Sequence, residues 1–161
     1  KQTITFQDEL LYVRYYLELQ KERFEEKLNY EINLEDQEIL QYYLPKLTIQ
    51  PLVENAIVHG LEPKRGGGFL RISIWEEAES VCVKVSDDGV GFDVSRIDLN
   101  AGEGAGGKAE HNHVALANIN RRIQLVYGQQ YGMTISSVPG SGTDVMLNLP
   151  IDTDNRSERS V

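Results

Sequence analysis

The order helix, strand, helix, hairpin, glycine-rich stretch, helix, hairpin predicts an α+β fold. The expected architecture is a two-layer sandwich, with helices on one face of a mixed, mostly antiparallel sheet. Two observations carry this. Apolar and polar residues alternate through Phe69 to Trp75, and strand-like runs recur at Val81 to Ser86, Met133 to Val138 and Thr143 to Leu149. Apolar residues recur at helical spacing in three other stretches.

Thr5-Phe6-Gln7-Asp8 has the form of a capping box, an acidic residue three places after a threonine. It opens a helix expected to run to about Leu28, with Phe6, Leu10, Val13, Leu17, Phe24 and Leu28 as an apolar stripe. Glu9, Arg14, Glu18, Lys21, Glu22 and Glu25 fall on its charged face. Leu28 to Asn33 alternates as an edge strand, and Asp36 to Tyr43 is a helical turn or loop ended by Pro45. The second helix starts near Thr48, a plausible N-cap, places Pro51 in its first turn and is expected to stop at Gly60. Ile49, Leu52, Val53 and Ala56 form its apolar back, and Asn55 and His59, four apart, share its polar front.

A hairpin follows, its strands Phe69 to Trp75 and Val81 to Ser86 joined by an acidic turn. The stretch from Leu99 to His113 is rich in glycine and poor in large apolar residues, which predicts a mobile functional loop. A third helix covers Val114 to Tyr127, with Leu116, Ile119, Ile123 and Val126 inward and Gly128 closing it. Met133 to Val138 and Thr143 to Leu149 make the last hairpin, and the tail from Asp152 is polar. The expected organisation is a lead-in helix at 1–28, a compact domain at 29–150 and a disordered tail at 151–161.

The chain has 161 residues, 40% of them hydrophobic and 25% charged, an ordinary globular balance. A net charge of −9 argues against a nucleic-acid surface. An acidic protein that binds a nucleotide must hold its phosphates with backbone N–H groups, a helix N-terminus and a metal. The one cysteine, Cys82, excludes an internal disulfide and reads as a small core residue. The longest apolar runs span only a few residues, which predicts neither a membrane span nor a signal peptide. A start at Lys1 rather than methionine suggests a piece of a longer protein.

Asp87 ends a strand and is followed by Gly89 and Gly91. A carboxylate there can accept from the exocyclic amine of adenine, with glycines letting the backbone approach a flat ring; Asp-x-Gly-x-Gly also describes ordinary tight turns. Asn55 offers a carbonyl oxygen, a hard ligand suited to Mg²⁺, and Glu54 beside it fits either a catalytic base or a solvated helix face. His59 fits a phosphate contact, stacking on adenine, or a plain surface histidine. Backbone N–H groups around His113 to Leu116 open a helix whose dipole favours phosphate, and Lys108 is placed to reach a terminal phosphate. Arg121 and Arg122 either add positive charge or serve the helix surface.

The order of these features resembles the ATP-binding core shared by gyrase, Hsp90, histidine kinases and MutL, the GHKL or Bergerat fold. More narrowly, Gln50-Pro51-Leu52-Val53-Glu54-Asn55-Ala56-Ile57 with His59-Gly60 is similar to the N box of LytS/YesM-like sensor histidine kinases. Asp87-Asp88-Gly89-Val90-Gly91 resembles their G1 box, and His113 to Ile123 with Tyr127-Gly128 resembles the segment behind their lid. The resemblance covers nearly everything from Thr5 to Pro150.

It implies that Asn55 binds Mg²⁺, Asp87 reads adenine, Gly89 and Gly91 shape the base pocket and His59 faces the nucleotide. Gly102 to His113 would form the ATP lid, with Leu116 and Asn118 behind it and Gly142 and Thr143 at the adenine floor. It further implies a cytoplasmic catalytic domain of a membrane-anchored, homodimeric kinase. Such a kinase passes the γ-phosphate of ATP to a histidine on a dimerisation helix, and then to a response regulator. None of the three histidines, His59, His111 and His113, lies on the first helix, so the phosphoacceptor is expected outside this chain. Two positions depart from the family pattern: Val58 replaces a basic residue, and Ala115 a glycine. Both remove support on the phosphate side, which keeps open a degenerate nucleotide-binding or dimerisation module. A clamp ATPase of the same fold would need a catalytic glutamate where Pro51 stands.

Overall fold

The structure, a computed structural model, describes residues 2–99 and 113–153. In chain order the elements are β1 (Thr3–Thr5), α1 (Phe6–Phe24), β2 (Leu28–Leu34), β3 (Tyr43–Pro45), α2 (Ile49–Asn55, continued by a π-helical turn at Ala56–Leu61), β4 (Gly68–Glu77) and β5 (Ser80–Asp87). They end with α3 (Val114–Tyr127), β6 (Gly132–Val138) and β7 (Gly142–Pro150). A five-stranded sheet has the order β2-β4-β5-β7-β6, in which β2 and β4 run parallel and the remaining neighbours antiparallel. β1 and β3 form a separate small antiparallel pair.

Alternation builds the sheet's inner face. Leu70, Ile72 and Ile74 of β4, Val81, Val83 and Val85 of β5, and Val145, Leu147 and Leu149 of β7 are all buried. They share one core with Phe6, Leu10, Val13 and Leu17 of α1, Ile49, Leu52 and Val53 of α2, and Leu116, Ile119 and Ile123 of α3. The expected two-layer α+β sandwich is therefore present. The lead-in helix belongs to the same core as the rest, since four of its side chains are buried there. Cys82 is buried, and that burial pushes its thiol pKa up. No helix among the described residues is long and apolar enough to cross a membrane.

Thr5 caps α1 as its sequence predicts, its Oγ1 accepting from the Asp8 N–H at 3.1 Å. The helix ends at Phe24 rather than Leu28, because Glu25 takes a positive φ of 55° and turns the chain into β2. Val126, expected inward, is 37% exposed; the inner row runs 116, 119, 123 and then 127, so Tyr127 packs on the core instead. Gly128 closes α3 with φ 109°, as expected. The tail beyond residue 153 lies outside the described residues.

Gly60 does not stop the second helix. The chain turns on through Leu61 by widening, with the Glu62 N–H reaching back five residues to the Ile57 carbonyl at 2.7 Å. Such π-helical turns concentrate at functional sites. Here the wide turn lowers Gly60 onto the end of β5.

Candidate functional site

The site lies where the row of inward residues on β5 changes character. Val81, Val83 and Val85 point into the helix layer, and Asp87 is next in the same parity. Its partner across the ladder is Thr143 of β7, likewise buried. An ideal Cβ on Gly60 would stand 2.6 Å from Asp87 Oδ1, so only glycine lets the π-helical turn pass this carboxylate. The Gly89 N–H donates to Asp87 Oδ1 at 2.9 Å, and the Val90 N–H donates to the Gly60 carbonyl at 2.9 Å. α2 and the turn after β5 are thereby bonded edge to edge.

A cavity of about 240 Å³ opens above this junction. Asp87, Thr143 and Gly91 line it from the sheet side, and Asn55, His59 and Gly60 from α2 and its π-helical turn. His113, the residue before α3, lines it too, stacked on Phe92 with ring centroids 3.9 Å apart. His59 and His113 stand 5.8 Å apart. Phe92 carries no role in the sequence reading. Its signal was an aromatic placed directly after Gly-x-Gly, and its N–H is held by Ser137 Oγ at 2.9 Å. Ser137 Oγ also lies 2.7 Å from Thr143 Oγ1, which ties that wall to the floor.

Electrostatics follow from burial. The Asp87 carboxyl is pushed up from 3.8 to about 6, chiefly by burial, helped by Asp88 and Asp144 and opposed by the Gly89 N–H and Lys64. Burial, with a smaller contribution from His59, pulls His113 below the usual histidine range. Asn55 Oδ1 and His113 Nδ1 are buried and have no hydrogen-bond partner among the described residues. An unpaired buried carbonyl oxygen on a cavity wall is costly unless something else coordinates it.

The remaining expected site residues lie elsewhere. Gly89 supplies the N–H that holds Asp87 without lining the cavity itself. Leu116 is fully buried in the core behind the site, and Asn118 is exposed on α3; neither lines the cavity. The buried polar residue on that helix is Asn120, which accepts from the Met133 N–H at 2.9 Å and donates to the Leu99 carbonyl at 3.2 Å. Glu54 does not line the cavity either: it accepts from Gln50 Nε2 at 3.0 Å and lies towards Tyr16 of α1. The Tyr16 phenol is raised to about 12, first by burial and then by Glu54 and Glu62. Val58 and Ala115, the two departures from the family pattern, are exposed and outside the cavity wall. Lys108 and Gly102 to Asn112 lie outside the described residues.

Thr48 proves not to cap α2. Its side chain donates to the Pro45 carbonyl at 2.6 Å, and the cap comes from Glu9, expected on the charged face of α1 but only 1% exposed. Glu9 accepts from the N–H groups of Leu47, Thr48, Ile49 and Gln50 at 2.8 to 3.2 Å. Arg122 of α3 approaches the same turn from the other side, donating to the Leu47 carbonyl and, at 3.1 Å, to Thr48 Oγ1.

Known proteins are similar to this chain in sequence or in fold. YesM, a sensor histidine kinase of Bacillus subtilis, is 37% identical over 150 residues, which is 93% of this chain and 24% of YesM. YpdA, a sensor histidine kinase of Escherichia coli, is 33% identical over 150 residues, 91% of this chain and 24% of that protein. The chain thus spans about a quarter of the length of these two relatives. Among solved structures, the catalytic domain of the histidine kinase ThkA superposes with a TM-score of 0.69 at 11% identity, over 94% of this chain and 97% of that one. The histidine kinase domain of a blue-light activated kinase from Erythrobacter litoralis gives 0.59 at 17% identity, over 88% and 60%. At those identities the likeness concerns the fold. The sequence profile of histidine kinase-, DNA gyrase B- and HSP90-like ATPases matches residues 44–153, from within β3 to just past β7, and the chain belongs to that family, as an ATP-binding domain of the sensor histidine kinase type.

Proposed function

We propose that this domain holds Mg-ATP in the cavity between α2 and the end of β5, and presents its γ-phosphate to a histidine imidazole outside this chain. The observation that supports this most is the placement of Asp87 and Asn55 on opposite walls of one cavity, the first a buried, backbone-held carboxylate and the second an unpaired carbonyl oxygen. Asp87 accepts from the exocyclic amine of adenine. Gly91 lines the base side of the cavity and lets the turn run close against β6, since its φ is +66° and a Cβ there would meet the Val138 carbonyl at 2.2 Å. Thr143 and the Phe92–His113 stack flank the base, and His59 faces the phosphates.

Asn55 Oδ1 fits a Mg²⁺ ligand by its chemistry and its lack of any other partner. Bound Mg²⁺ supplies charge neutralisation at the phosphates, the main requirement of phosphoryl transfer beyond positioning. Among the described residues no three His, Cys, Asp or Glu side chains converge as metal ligands. Most of the ion's shell therefore comes from phosphate and water on this reading. The domain's own part is to bind, orient and shield. The transfer to histidine, the response regulator that receives the phosphoryl group, dimerisation and membrane attachment belong to the whole kinase.

Asn55→Ala tests the metal assignment. Titration of a non-hydrolysable ATP analogue is expected to show unchanged affinity in EDTA and a loss of at least about tenfold, ~1.4 kcal/mol, in Mg²⁺. The nucleotide-free variant is expected to melt no lower than the parent, because the substitution removes an unsatisfied buried oxygen. A Mg²⁺-dependent gain that survives the substitution in full would contradict the assignment.

A further inference from the structure

Glu9 is a buried carboxylate that lies outside the nucleotide cavity. It sits in the first turn of α1, yet gathers four consecutive backbone N–H groups from a turn 38 to 41 residues further along the chain. These donors are ones a helix N-terminus otherwise leaves unpaired, and α2 brings no capping side chain of its own. A negative charge there also meets the positive end of the helix dipole. Leu47 holds a positive φ of 61°, the left-handed kink at the head of this turn. Arg122 grips the turn from α3, so α1, α2 and α3 meet at one point.

From that point α2 runs without a break to Asn55. The seven residues from Ile49 to Asn55 span about 9 Å of helix axis, and Leu52 and Val53 between them are buried. A helix this short and this tightly packed moves as a body. Its axial position is set where it is gripped.

We propose that Glu9 is a positioning residue for the metal: from α1 it fixes the N-terminus of α2, and with it the aim of Asn55 Oδ1. The inference rests on the Mg²⁺ reading of Asn55 given above. It makes the Glu9 cap the contact through which the placement of α1 is felt in the nucleotide site.

The test compares Glu9→Gln, Glu9→Ala and a control, Val13→Ala, which loosens the buried side of α1 without touching the cap. The affinity of a non-hydrolysable ATP analogue is measured in Mg²⁺ and in EDTA. Both Glu9 variants are expected to lose the Mg²⁺-dependent gain by roughly tenfold, the usual effect of removing a group that orients a metal ligand, with little change in EDTA. Val13→Ala is expected to melt lower and keep the gain. A Mg²⁺-dependent gain in the parent that both Glu9 variants retain overturns this inference alone; a parent with no such gain overturns the Mg²⁺ reading and this inference with it. Amide exchange in the parent provides a check that needs no variant. The Thr48, Ile49 and Gln50 amides are expected to exchange as slowly as the centre of α2, and exchange at the rate of an open turn would overturn the cap.

Discussion

Asp87→Asn is expected to abolish binding of adenine nucleotides and, at the same time, to raise the melting temperature of the nucleotide-free chain at neutral pH. The two effects have one cause. Burial, reinforced by Asp88 and Asp144, raises the folded-state pKa of Asp87 from 3.8 to about 6. Between those values the folded chain binds a proton that the unfolded chain has released, so stability falls as pH rises through that window. Above pH 6 the full cost of the buried charge is carried, on the order of 1–3 kcal/mol. Asparagine keeps an oxygen for the Gly89 N–H without that charge. It also turns an NH₂ donor towards adenine's own donor, which ends recognition. Melting curves of parent and variant are expected to separate by several degrees at pH 7.5 and to converge near pH 4. A variant that melts lower than the parent at pH 7.5 would contradict the account of Asp87 as a strained, functional carboxylate.

Gly142→Ala is expected to destabilise the fold by more than about 3 kcal/mol, the range of backbone clash and strain rather than of surface change. Gly142 has φ +103°, and an added Cβ would stand 2.1 Å from the Asp87 carbonyl, a backbone atom that cannot swing aside. Gly89→Ala is expected to behave similarly, its Cβ meeting the Gly60 carbonyl at 2.1 Å. Gly140→Ala is the natural control. It shares a positive φ of +87° but meets nothing within 4 Å, so only conformational strain of about 1–2 kcal/mol applies. Urea unfolding of the three variants measures the difference; equal losses at Gly140 and Gly142 would show that close approach at the floor of the site is not what these glycines provide.

What the sequence displayed and what it hid divide along physical lines. Strand alternation, the Thr5 cap and the limits of α3 depend on residues close in the chain, and all were legible there. The gathering of Asn55, His59, Asp87, Gly91, His113 and Thr143 around one cavity was legible because each sits at the end or on the front of an element whose direction was readable. Three features were not. Glu9 looked like solvated charge, since its partners lie 38 to 41 residues away and its burial is decided by packing of α1 on α2. Gly60 looked like a helix stop, because a π-helical continuation is chosen by the contact with Asp87 rather than by local propensity. Asn118 and Asn120 differ by two places on one helix, and only the phase of α3 against β6 makes the second one the buried partner.

On the proposed function, the cavity between α2 and the end of β5 is an adenine-nucleotide site read by Asp87. Calorimetric titration of this chain with non-hydrolysable ATP and GTP analogues in Mg²⁺ tests it most directly. Saturable binding of the ATP analogue is expected, with at least about a hundredfold weaker binding of the GTP analogue, whose ring offers a carbonyl where adenine offers an amine. Equal affinity for the two, or no binding of the ATP analogue, would contradict it.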